Sequence, residues 1–223
     1  MSQAVLFIST TSNLIDIITT KLGDKMVFVF DLDDTISDTD GYSEKYIRNF
    51  FAEHNLPYKQ IAKNVRFAES KFDWDRQTAL AWYKEFGDEM MSNFPLKQWA
   101  RDFLDFLHNQ GHTIIIATAR ATDWHTNPEE VTLRWLKNNN IHYDKIYIGR
   151  NDKEAICLDE NADVFVDDDL KITANVAKAF EGQKDKQVFL QTTAYNKDFE
   201  VPNGVQRIKN FNDLLMSIQK SRT

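Results

Sequence analysis

Short, continuous apolar runs alternate with amphipathic stretches along most of the chain. Met26-Val27-Phe28-Val29-Phe30, His112 to Ala117 and Val164-Phe165-Val166 are β-prone and apolar at successive positions, the pattern of strands buried on both faces of a parallel sheet. Asp144 to Ile148, Gln187 to Leu190 and Val205 to Ile208 read as further, shorter strands. Helical periodicity fills the gaps at Pro128 to Asn140, Asp152 to Glu160, Thr173 to Glu181 and Asn212 to Lys220. Strands that alternate with helices predict an α/β fold with a doubly wound, Rossmann-like parallel sheet. Residues 37 to about 108 break the alternation: they read as helical throughout, with helices at Ser43 to His54, Trp74 to Met91 and Leu96 to Gln110. Most of this block reads as a helical cap inserted after strand one. The predicted division is a core of residues 1–36 and 96–223 and a small cap of residues 37–95. Residues 1–25 form an N-terminal extension, with a strand at Ala4 to Ile8 and a helix from Leu14 to Gly23 behind Thr11 or Ser12.

Composition narrows the function classes. The 223 residues suit one α/β domain with a small insertion, and the scarcity of glycine (7) and proline (4) argues against long linkers. A net charge of −7 argues against a nucleic-acid coat protein, which needs a basic face. It leaves room for a small anionic substrate, because a bound cation reverses the local field. The single cysteine, Cys157, sits on what reads as the buried face of a helix, so neither a disulfide scaffold nor a thiol nucleophile is expected. Apolar runs stop far short of the roughly 20 residues that span a bilayer, and no basic segment precedes an apolar one at the N-terminus. A cytoplasmic protein is the expectation.

The chemistry gathers at strand ends. In open parallel sheets ligands bind beyond the carboxyl ends of the strands. Three of the apolar runs stop there in polar residues: Asp31 and Asp33, Thr118, and Asp167 and Asp168. The alternation of a strand would point Asp31 and Asp33 to the same side. Carboxylates held that close resist ionising together, and a divalent cation resolves the conflict. With Asp167 or Asp168 they offer an all-oxygen site suited to Mg²⁺. Phosphoryl transfer would use such a site: a carboxylate as nucleophile, a second as acid and base, a hydroxyl such as that of Thr118 on a phosphoryl oxygen, and a lysine to offset charge.

The run VFVFDLDDT resembles the first motif of the haloacid dehalogenase superfamily, TIIIATAR the second and VFVDD the fourth, with Lys153 placed like the third-motif lysine. The likeness spans roughly residues 26–215. Within the superfamily the chain resembles bacterial and phage 5′-nucleotidase-like proteins with a small helical cap, including the segments IHYDKIYIG and YNKDFEVPNGVQRIKNF. The resemblance implies a Mg²⁺-dependent phosphatase acting on small phosphate esters. It makes Asp31 the nucleophile and a metal ligand. Asp33 would be the general acid and base, with its backbone carbonyl on the metal. Thr118 would bind the phosphoryl group and Lys153 would stabilise its charge; Lys145 is the alternative lysine. Asp168 is the preferred further ligand, with Asp167 next to it. Asp34 stands where many relatives have glycine and is expected to point away.

Other residues have two readings. Arg120 either binds substrate phosphate or pairs with a carboxylate. His125 reads as a surface histidine. Cap aromatics such as Trp82 and Tyr83 either stack on a base or form core, and Arg66 and Lys71 either meet an anion or lie on a solvated face. Competing functions are a polynucleotide end phosphatase, which the acidic charge disfavours, and a catalytically silent binding protein, which would lack one of the acidic residues. A dehalogenase would need neither Asp33 nor a metal. A phosphonatase would need a cap lysine, and nothing singles out Lys59, Lys63, Lys71 or Lys84.

Overall fold

The computed structural model describes residues 22–66, 68–122 and 125–220. The strand and most of the helix expected within residues 1–25 lie outside them. Among the described residues six parallel strands form one sheet: β1 (Val27–Phe30), β2 (Thr113–Thr118), β3 (Lys145–Ile148), β4 (Val164–Asp167), β5 (Gln187–Gln191) and β6 (Val205–Ile208), in the order β3-β2-β1-β4-β5-β6. The helices are α1 (Asp40–Glu53), α2 (Ala68–Lys71), α3 (Arg76–Asn93), α4 (Ala100–Asn109), α5 (Pro128–Asn138), α6 (Lys153–Asp159), α7 (Leu170–Ala179) and α8 (Phe211–Lys220).

The apolar runs form strands because both faces of the sheet are covered. Phe28, Phe30, Ile114, Ile116, Val164 and Val166 face a core shared with α4, α8 and the α1–α3 insertion. Val29, Ile115 and Phe165 face a second core with Ile156 of α6 and Val176 of α7. The alternation of side chains along each strand thus separates the two layers. Register places Phe30 beside Ile116 on one side and Val166 on the other, so the ends of β2, β1 and β4 lie next to one another.

The block read as helical throughout is interrupted. Between Glu53 and Arg76 the only helix among the described residues is the four-residue α2. Asn55 and Asn64 take positive φ (52° and 53°), which stops a right-handed helix, and Gln60 pairs with Phe72 in an isolated antiparallel bridge. The helix expected from Leu96 begins only at Ala100, because Trp99 has φ 68°. The insertion's aromatics pack on one another, with Trp74 5.2 Å from Phe51 and 5.8 Å from Trp82, ring centre to ring centre. On the other side α3 is tied to the core. Asp88 accepts from the backbone N–H groups of Thr126 and Asn127 just before α5, and the Trp135 indole of α5 donates to the Phe94 carbonyl at 2.8 Å.

Candidate active site

Asp31 follows β1 directly, and its backbone N–H donates to the carbonyl of Val166 on β4 at 2.9 Å. That bond fixes the first carboxylate against the strand that ends in Asp167, just before Asp168. Oxygens of Asp31, Asp167 and Asp168 all lie within 4.8 Å of one another, and all three residues are buried. Lys153, the first residue of α6, reaches between them: its Nζ donates to Asp31 Oδ1 and, at 2.7 Å, to Asp167 Oδ2. Its side chain is 2% exposed, so it is no surface lysine. Lys145, the alternative, pairs instead with the peripheral Glu160.

The electrostatics record an excess of negative charge. Burial, against Lys153 and aided by Asp167 and Asp33, pushes the Asp31 carboxyl up to about 7. Burial with Asp167, Asp31 and Asp34 pushes Asp168 well above the usual carboxylate range. Lys153 is raised despite its burial, because the carboxylates of Asp167 and Asp31 hold its proton. Three buried carboxylates around one ammonium ask for further positive charge, and an all-oxygen donor set suits a hard divalent cation. The residues therefore fit a metal. Asp167 spends one oxygen on Lys153 and the other on the backbone N–H of Asp169 at 2.8 Å, which leaves Asp31 and Asp168 the freer donors.

Asp168 is held from a loop that sequence reasoning did not connect with it. The Tyr195 hydroxyl donates to Asp168 Oδ2. Fully buried Asn196 donates from Nδ2 to the Asp168 carbonyl at 2.9 Å and to the Gln191 carbonyl at 2.8 Å. The segment carrying this pair was visible as YNKDFEVPNG, but only the fold shows what it touches. Asp169, the last of the aspartate run, caps α7 by accepting from the N–H groups of Lys171 and Ile172, which is why that helix starts earlier than Thr173. Arg66 of the insertion is exposed, as expected of a solvated face, and forms an ion pair with the same Asp169.

Asp33 parts from the cluster. The strand ends at Phe30, and a turn in which Ile36 and Ser37 donate to the Leu32 carbonyl takes over, so strand alternation no longer sets its direction. Its carboxylate turns to Arg120, with Nε on Oδ2 at 2.8 Å and Nη2 on Oδ1 at 2.6 Å. Of its two sequence readings, Arg120 thus takes the carboxylate partner. Burial works to raise the Asp33 carboxyl, but the charge and hydrogen bonds of Arg120 outweigh it and leave it below its ordinary value. Asp34 takes φ 58°, a conformation glycine adopts freely, and its carboxylate accepts from the Thr39 N–H at 2.9 Å. The same carboxylate lies 3.9 Å from Lys97 Nζ, outside the Asp31, Asp167 and Asp168 group, while the residue borders the same cavity as Asp31 and Asp33.

That cavity, about 590 Å³, lies between the strand ends and the insertion. Asp31, Asp33, Thr118, Arg120, Lys153 and Asp168 line its floor, and Trp82, Tyr83, Met91 and Phe94 give it an apolar wall. Its volume is that of a small-molecule site. His125, expected on the surface, borders the cavity as well, and burial pulls its imidazole down to about 4. Cys157 is fully buried, and burial raises its thiol far above a reactive range.

The fold is that of the haloacid dehalogenase-like hydrolases, which bears out the resemblance read from the motifs. A haloacid dehalogenase-like family hydrolase from Streptococcus pneumoniae superposes with a TM-score of 0.62 at 15% identity, covering 86% of this chain and 98% of that one. The "putative HAD-hydrolase YfnB" of Bacillus subtilis, whose crystal structure is bound to magnesium, does so with a TM-score of 0.57 at 14% identity, covering 88% and 100%. In sequence, the chain is 26% identical over 186 residues to the Bacillus subtilis (strain 168) protein "Putative nucleotidase YqfW", covering 81% of this chain and 87% of that one. No family model matches the chain. Among the described residues no helix is long and apolar enough to cross a membrane.

Proposed function

We propose that this protein hydrolyses small phosphate monoesters through an aspartyl-phosphate formed on Asp31. The observation that carries the proposal is the buried cluster of Asp31, Asp167 and Asp168 around Lys153, with Asp33 apart from it on the same cavity floor. Asp31 and Asp168, with the Asp33 backbone carbonyl, would hold Mg²⁺. When bound, the cation supplies charge neutralisation at the phosphoryl oxygens and at the crowded carboxylates. Asp167 stays on Lys153 and orients it.

The protein's own groups then divide the work. The Asp31 carboxylate attacks phosphorus, the ester P–O bond breaks, and Asp33 relays to the departing oxygen a proton that the substrate brings in. Water next attacks phosphorus and passes a proton to Asp33, and the P–O bond to Asp31 breaks, releasing inorganic phosphate and restoring both carboxyl groups. Arg120 keeps Asp33 ionised at rest, which suits the second half; a phosphate monoester monoanion carries in the proton needed for the first. Thr118 and Lys153 hold phosphoryl oxygens. The helical insertion is a cap that limits the site to small substrates. The likeness to a protein named as a nucleotidase and the half-buried Tyr83 ring bordering the cavity, on which a base could stack, favour nucleoside monophosphates.

The test is inorganic phosphate release from ribo- and deoxyribonucleoside monophosphates and p-nitrophenyl phosphate, with Mg²⁺, with chelator and with Asp31→Asn. Turnover is expected to need Mg²⁺ and to vanish in Asp31→Asn. Turnover that survives Asp31→Asn would sink the aspartyl-phosphate route, and turnover of the aryl ester alone would remove nucleotides as the substrate.

A further inference from the structure

A guanidinium carries five N–H donors in a rigid fork, so the partners it already has decide what it can still bind. Arg120 spends Nε and Nη2 on the two oxygens of Asp33, at 2.8 and 2.6 Å. Nη1 donates to Thr132 Oγ1 of α5 at 3.1 Å, and Thr132 is fully buried. The Phe94 ring centre lies 5.8 Å from the guanidinium carbon. The Arg120 side chain is 2% exposed, whereas that of Asp33 is 36% exposed. The arginine is therefore anchored on one side by a helix and an aromatic ring, and on the other it grips a carboxylate that faces the cavity.

We infer that Arg120 is a positioning residue for Asp33: braced by Thr132 and Phe94, it aims the Asp33 carboxylate at the substrate's leaving oxygen and does not hold the substrate's phosphate. A bidentate pair fixes both the distance and the plane of a carboxylate, which a single hydrogen bond cannot do. Proton transfer depends on such aim. The role of phosphate ligand falls to Thr118 and Lys153. This inference rests on the phosphatase reading above, in which Asp33 moves the proton.

A double-mutant cycle on a nucleoside monophosphate, whose alkoxide leaving oxygen needs the proton that Asp33 delivers, separates positioning from substrate binding. Arg120→Met, Asp33→Asn and the double variant are compared for kcat and KM. The double variant removes both charges of the pair and so leaves no lone charge behind. Arg120→Met is expected to lower kcat by about 10²-fold or more, the range of a lost acid–base group, with little change in KM. Added to Asp33→Asn it should cost nothing further. Thr132→Val, which keeps the ion pair and loses only its brace, should lower kcat by a smaller factor, again without raising KM. If KM rises about tenfold in Arg120→Met and the two losses multiply, the arginine binds phosphate and the inference falls. A wild-type protein that releases phosphate from no ester overturns the phosphatase reading and this inference with it, whereas wild-type turnover with multiplying losses overturns this inference alone.

Discussion

Tyr195 donates its hydroxyl hydrogen to the Asp168 carboxylate from a loop 27 residues further along the chain. Outer partners of this kind orient a metal ligand, and losing one typically lowers metal affinity or activity about 10–100-fold. Tyr195→Phe is accordingly expected to raise the Mg²⁺ concentration needed for half-maximal phosphate release by about tenfold, with most of the rate recovered at saturation. Unchanged Mg²⁺ dependence would mean that Asp168 needs no such partner.

Lys153 balances Asp31 and Asp167 where hardly any water reaches, with side-chain exposures of 2%, 8% and 1%. Lys153→Met leaves two buried carboxylates facing each other, a loss of about 3–5 kcal/mol. Thermal unfolding in chelator should fall by about 10 °C for a domain of this size. Mg²⁺ should recover more stability in the variant than in the parent protein, because the cation then carries more of the compensation. A melting temperature in chelator equal to the parent's would remove Lys153 from that role.

Gly87 of α3 lies against His125 so closely that a Cβ there would meet the imidazole Nδ1 at 2.6 Å. Gly87→Ala sets a helix-propensity gain of about 1 kcal/mol against overpacking of about 1–3 kcal/mol, so a net loss is expected in denaturant unfolding. In a His125→Ala background the clash is gone, and the same substitution should stabilise. A loss of equal size in both backgrounds would place the conflict elsewhere.

His125 also gives the stability a pH dependence. Burial, reinforced by Arg120 and only partly opposed by Asp33 and Asp88, lowers its imidazole to about 4 from an ordinary 6.5. Between those values the unfolded chain binds the proton and the folded protein does not, so stability falls as pH drops from 6.5 towards 4. The effect is at most about 3 kcal/mol. His125→Gln should flatten that part of the profile of unfolding free energy against pH. An unchanged slope would assign the acid sensitivity to the carboxylates alone.

The strands and their order of use were legible because buried parallel strands carry unbroken apolar runs, and the residues ending them could be read straight off. Helix limits were harder. Asp169 is an ordinary N-cap signal, but it stands in a run of three aspartates whose other members invite a metal reading, which hid the start of α7. Trp99 at positive φ has no counterpart in residue preferences, so the late start of α4 could not be read. The stretch around Asn55 and Asn64 offered two residues tolerant of the left-handed region, a signal that the surrounding helical pattern outweighed. The partners of the site residues were the least legible part. Whether Arg120 meets phosphate or carboxylate, and what steadies Asp168, depends on contacts across 87 and 27 residues. Spacing along a chain holds no information about them.

The three strand ends that bear the chemistry belong to adjacent strands, β2, β1 and β4. Neighbouring strands lie about 4.8 Å apart wherever a sheet forms, so the backbone lattice itself acts as the ruler between Thr118, Asp31 and Asp167. A slip of one residue in β1 would turn its side chains to the opposite face. Misalignment at this centre is therefore all or none: the lattice admits no slightly wrong version of the site, and gradual variation is confined to the loops and the helical insertion above it.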